Sequence, residues 1–180
     1  MNTEHPKAQD ELIPLDRPFT SEIPKYRKIV AAKGLSGLAN DTKWNELLQR
    51  MRARDVKQWC PGFRFQCLGS DHISRWDAEW WHHLPFPFIS VSWFDLSYRE
   101  EITIARLLPT KTIDHSAEIE TLLSEIGFDF EKGAEAMRIF GYAPRDYTDF
   151  KKEPNQALRH NDPSCHVPCL RTYRASRGRG

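Results

Sequence analysis

Residues 75–98 read RWDAEWWHHLPFPFISVSWFDLSY and hold four of the chain's six tryptophans, the adjacent pair His82 and His83, and three carboxylates. Each large aromatic buries about 150–250 Å². Such a segment must therefore form the centre of a core or a surface that a partner keeps dry. Trp80 and Trp81 are neighbours, and neighbours in an extended chain point to opposite faces, so one of the two needs cover from outside the main core.

Proline placement bounds the packed unit around this segment. Of twelve prolines, Pro6, Pro14, Pro18 and Pro24 precede residue 41 and Pro144, Pro154, Pro163 and Pro168 follow residue 143. Proline lacks an N–H and resists helix interiors and central strands. The expectation is an extended arm over 1–24, one domain over 25–143 with its densest packing from 41 on, and a tail over 144–180. Charge divides similarly: residues 41–143 carry 12 Lys and Arg against 16 Asp and Glu, a net of −4, whereas the part from Pro144 carries 8 against 4. The tail ends in Arg171, Arg174, Arg177 and Arg179, a basic and flexible segment by composition. No apolar run approaches the roughly 18 residues of a membrane helix, and the N-terminus has no signal-peptide core, which predicts a cytoplasmic protein. Cys60, Cys67, Cys165 and Cys169 form no CxxC pair and are expected as thiols.

Apolar periodicity places the elements. A short helix is expected over 21–34, with Pro24 in its first turn, Tyr26, Ile29 and Val30 on one face and Gly34 at its end. A second begins at Asn40, Asp41 or Thr42 and buries Trp44, Leu47, Leu48 and Met51. Phe63, Phe65 and Cys67 alternate with Arg64 and Gln66 as in a half-buried strand. Further strands are predicted near 76–83, around Ile89, Val91 and Trp93, and at Ile102 and Ile104 after a charged turn over 99–101, the four forming an antiparallel meander. A helix from Asp114 or Ser116 to Gly127 presents Ile119, Leu122, Leu123 and Ile126, and a last strand covers Met137 to Tyr142. The sum is an α+β fold, a mostly antiparallel sheet covered by helices, with extended N- and C-terminal arms.

Four stretches carry a resemblance: Arg27 to Leu35, the Asn-x-Thr-Lys-Trp-x-Glu-Leu run from Asn40 to Leu47, the Ser-x-Trp-Asp-x-Glu-Trp run from Ser74 to Trp80, and Ile139 to Tyr142. Together they resemble a small bacterial domain family of unknown function, covering about 27–143. The resemblance brings no activity and no functional residue with it. Compact domains of this kind are similar to immunity proteins of toxin systems, which implies a protein partner.

The candidate chemistry is sparse. Asp77, Glu79, His82 and His83 have ligand types that suit zinc or iron, and an extended chain would set Asp77, Glu79 and His83 about 7 Å apart on one face. No HExxH-type motif accompanies them, and a polar strand face explains them equally. Cys165, His166 and Cys169 approach zinc spacing without a matching second pair. Ser70, Asp71 and His72 are consecutive and cannot converge as a triad. Carboxylates surround the tryptophans and repel phosphate, leaving nucleic acid only to the Arg-rich tail. No catalytic residue, cofactor or metal is expected. The expected function is a cytosolic protein-binding module, in its specific form an immunity protein that occludes a toxin's active cleft. Its contact residues would be Trp76, Asp77, Glu79, Trp80, Trp81, His83 and Asp95, an acidic rim around an aromatic anchor. The alternatives are a small metal-dependent enzyme using the Asp77/Glu79/His82/His83 cluster and a regulatory domain that binds nucleic acid through its tail.

Overall fold

The computed structural model describes residues 19–54, 58–103 and 110–152. Within them the fold is α+β. A 3₁₀ turn over Phe19–Glu22 leads into α1 (Ile23–Ala32), whose first turn contains Pro24, where a missing N–H costs nothing. Tyr26 is its buried side chain, and Gly34 follows with φ of +60°. After β1 (Ser36–Gly37), α2 (Asp41–Arg52) starts at Asn40, whose side chain accepts from the Lys43 N–H at 3.0 Å. Trp44, Leu47, Leu48 and Met51 are all buried, as their spacing predicts.

The main sheet contains β2 (Phe63–Cys67), β3 (Val91–Ser97), β6 (Phe130–Lys132) and β7 (Ala136–Phe140). Their order is β2-β3-β7-β6, every neighbour antiparallel. Between β3 and β7 the chain forms a separate hairpin of β4 (Arg99–Ile102) and β5 (Lys111–Asp114), then α3 (Ser116–Ile126). β8 (Tyr142–Ala143) pairs with β1. Helices α2 and α3 cover one face of the sheet, where Trp44, Leu47, Ile119 and Leu123 meet Phe63, Phe94, Met137 and Ile139. The Trp44 and Phe94 rings approach edge-on at 5.6 Å.

The opposite face is buried as well. Register sets Asp95 against Arg138 and Trp93 against Phe140, so all four project to the side away from the helices. Arg138 is fully buried and Asp95 is 1% exposed. Residues 144–152 lie over them: Arg138 Nη1 donates to the Thr148 carbonyl at 2.7 Å, and Tyr147 packs on Phe140 with ring centroids 5.3 Å apart. Arg145 pairs with Asp129 and Lys151 with Glu135. The segment after Pro144, expected to begin a flexible tail, is thus a strap across the outer face through Lys152. Arg171 to Arg179 and the Cys165/His166/Cys169 set lie outside the described residues.

Three expectations about strands are corrected. Residues 76–83 form no strand; their backbone pairs with β2 at one isolated bridge, Asp77 to Phe63, and Ile73 just before them bridges Gln66. Asp77 and Glu79 accept hydrogen bonds from backbone N–H groups two residues on, which diverts those donors from a ladder. Residues 99–101 are not a turn but most of β4, and Ile104 lies outside the described residues. Nor is the sheet a sequential meander, because β7 takes the place beside β3.

Candidate protein-binding loop

The chain between β2 and β3 carries the aromatic cluster, and β2 fixes where the loop starts. Phe63 and Asp77 exchange both backbone hydrogen bonds, at 2.6 and 2.9 Å. Ser74 N–H donates to the Phe65 carbonyl at 2.9 Å while its Oγ accepts from the Phe65 N–H at 2.8 Å. From there the side chains fold the loop on itself. Asp77 Oδ1 accepts from the Glu79 N–H at 2.8 Å, Glu79 Oε1 from the Trp81 N–H at 2.9 Å, and Asp77 Oδ2 meets His83 Nδ1 at 2.7 Å. The Glu79 N–H is the chief reason, with His83 a lesser one, that the Asp77 carboxyl is held below the usual carboxylate range.

This folding separates the two adjacent tryptophans. Trp80 turns inward, 3% exposed, packing on Phe63 at 4.8 Å between centroids, with its indole N–H donating to the Pro61 carbonyl at 3.0 Å. Trp81 turns outward and is 48% exposed. One indole anchors the loop and the other is displayed. Arg52, at the end of α2, fixes both: its Nε donates to the Trp80 carbonyl at 2.9 Å, and its guanidinium lies 4.5 Å from the Trp81 ring centroid. Arg52 Nη2 is buried without a hydrogen-bond acceptor among the described residues, so the Trp81 π face is the electron-rich group beside this guanidinium.

Trp76, 44% exposed, is held in a parallel way. The Arg64 guanidinium stands 5.0 Å from its ring centroid. Arg64 Nε donates to Asp95 Oδ2 at 3.0 Å and Nη1 to Asp149 Oδ2 at 2.6 Å. Arg138 in turn binds both Asp95 oxygens, Nε at 2.7 Å and Nη2 at 2.9 Å, and lies 3.6 Å from the Trp93 ring centroid. A continuous polar chain therefore runs from the exposed Trp76 through Arg64 and Asp95 to the buried Arg138.

A family model for a family of unknown function, DUF6678, matches residues 26–146. The chain belongs to that family. No curated protein and no solved structure matches it. The stretch that the DUF6678 model covers includes the whole loop, both displayed tryptophans and the Asp95–Arg138 pair, whereas Thr148, Asp149 and Phe150 of the strap lie beyond it.

Of the contact residues expected from sequence, the loop brings Trp76, Asp77, Glu79, Trp81 and His83 to the surface or half-buried beneath it. Trp80 and Asp95 are corrections. Trp80 is core, and Asp95 lies under the strap between two arginines, so neither presents a surface to a partner. Among the described residues no three His, Cys, Asp or Glu side chains converge as a metal ion requires. Asp77 and His83 meet, but Glu79 turns to its own backbone and His82 is exposed. Ser70 Oγ accepts from the His72 N–H at 3.1 Å, a local turn contact.

Arg52 and Arg138 escaped the sequence reading, and Arg64 entered it only as a polar residue of a half-buried strand. Two of them had a signal. Arg64 alternates with Phe63 and Phe65 and must face away from the core they share. Arg138 stands between Met137 and Ile139 in an apolar strand, where a charge survives only with a partner.

Proposed function

We propose that this chain is a protein-binding module whose contact face is the loop from Ser70 to His83, with Trp81 as principal anchor and Trp76 beside it. The observation that carries this reading is a large aromatic, Trp81, left about half exposed on a loop fixed in one shape by Asp77, Glu79 and the buried Trp80. A displayed indole contributes nothing to the core, yet here it is preorganised, which lowers the entropic cost of burying it against a partner. Trp and Arg are also the residue types that dominate binding hot spots, and Arg52 and Arg64 flank the two rings.

In its specific form the module is a cytoplasmic immunity protein. Trp81 enters the active cleft of a cognate bacterial toxin and occludes it, while Asp77 and Glu79 meet the cationic groups that would hold substrate there. Each carboxylate keeps lone pairs beyond those used within the loop, so it can serve both tasks. The test is co-expression with the products of the adjacent genes, followed by pull-down and growth rescue. Trp81→Ala is expected to weaken capture by about 2 kcal/mol or more and to leave thermal stability near wild type. Trp80→Ala is expected to lower stability itself, by about 3–5 kcal/mol. Failure of both neighbours to bind, or undiminished capture by Trp81→Ala, would remove the basis for the proposal.

A further inference from the structure

A cleft of about 440 Å³ opens between α1, the start of α2 and the entry to β3, on residues the binding-loop reading does not use. Its wall is apolar: Ile23 and Val30 from α1 and Ile89 where the chain enters β3 are half-buried, and Trp44, Phe88 and Val91 contribute to the lining as buried side chains. Trp44 and Phe88 stack with centroids 4.8 Å apart and planes within 5° of parallel, which makes this wall flat and stiff. Gly141 lines it too, and its lack of a side chain is required: a Cβ there would come 2.1 Å from the Val91 carbonyl oxygen. Tyr142 is tied to the wall by its hydroxyl, which donates to the Ile89 carbonyl at 2.8 Å.

Two charged side chains of opposite sign, Arg27 and Asp41, stand on the same lining. Both are exposed, and neither forms an ion pair with any described residue. An apolar hollow of a few hundred Å³ with a few placed polar groups is the usual form of a small-molecule site. A ligand of single charge would find one matching group here and one opposing group. A ligand that carries both charges on an apolar body matches the whole lining. We propose that this cleft binds a small zwitterion of that kind, a free hydrophobic α-amino acid, with its carboxylate toward Arg27, its ammonium toward Asp41 and its side chain against Val30 and Ile89.

Four probes added to the full chain test this by calorimetry and by NMR shifts of the Trp44 indole: L-phenylalanine, L-leucine, phenethylamine and 3-phenylpropionate. The zwitterions are expected to saturate the site and to bind at least about tenfold more tightly than either singly charged analogue, since a charge-assisted hydrogen bond contributes about a factor of ten or more. Arg27→Gln should weaken L-phenylalanine and 3-phenylpropionate about tenfold without weakening phenethylamine, and Asp41→Asn should do the reverse. Both side chains are exposed, so a thermal melt close to wild type is expected of each variant. Ala31→Trp, which fills the cleft from an exposed helix position, should abolish all binding. Absence of saturable binding by both amino acids overturns the proposal, as does affinity that ignores the two charge changes or survives Ala31→Trp.

Discussion

Asp95 and Arg138 face each other across β3 and β7, joined by two hydrogen bonds and shielded from water by Trp93 and the strap. A buried ion pair contributes little over an apolar pair of equal shape, yet removing one member strands the other. Asp95→Ala is therefore expected to cost about 3–5 kcal/mol in denaturant unfolding, because it also frees Arg64 from one of its two carboxylates. Asp95→Leu combined with Arg138→Met should recover most of that loss. If the double variant were as unstable as the single one, the pair would be doing more than satisfying itself. Trp80 and Trp81 make a second point at this scale. The expectation that one would be buried and one exposed rested on a strand that does not form; the turn that Asp77 and Glu79 impose is what parts them.

At the scale of elements, helices were legible and strands were less so. The i, i+3, i+4, i+7 spacing of α2 and its Asn40 cap are local properties of the chain, set by 3.6 residues per turn and one side-chain hydrogen bond. In α3 the same logic grouped Ile119, Leu122, Leu123 and Ile126, and the structure ranks them: Leu123 is fully buried while Leu122 is only partly so. Leu123→Ala should cost about 2–5 kcal/mol and Leu122→Ala clearly less, measured by urea denaturation. Equal losses would mean that α3 is rotated relative to the sheet. The strand expected over 76–83 failed for a reason that alternation does not encode. Carboxylates two residues before a backbone N–H compete for it, and the ladder loses.

For the molecule as a whole, the strap ties the outer face to its carboxylates and so to pH. Burial pushes the Asp146 carboxyl up, but the Thr148 N–H and hydroxyl, the Ser92 hydroxyl and the Arg138 charge together hold it below its ordinary value. Ser116, through its hydroxyl and its N–H, does the same to Asp114, and the Glu79 N–H does so to Asp77. A carboxyl depressed on folding stabilises fully above its unfolded value, near pH 4, and that contribution is lost as pH falls through the folded value. Urea midpoints followed by tryptophan fluorescence should hold from about pH 7 to about pH 5 and fall steadily below about pH 4. Asp146→Asn should flatten part of that fall, and an unchanged slope would show that the strap carboxylate is not linked to folding.

The chain by itself determined that it folds as α+β, that α2 and α3 bury the faces they do, and that two adjacent tryptophans must part. The first two follow from helical or strand periodicity and side-chain size within a few residues; the tryptophans part through a turn rather than through strand alternation. It did not determine that β7 lies beside β3, that residues 144–152 cross the outer face, or that Arg64, Asp95 and Arg138 join beneath Trp76. The charged groups that join beneath Trp76 are partners 31 to 85 residues apart along the chain. No local period records such distances, because a buried charge is placed by what it must be paired with rather than by its neighbours in sequence.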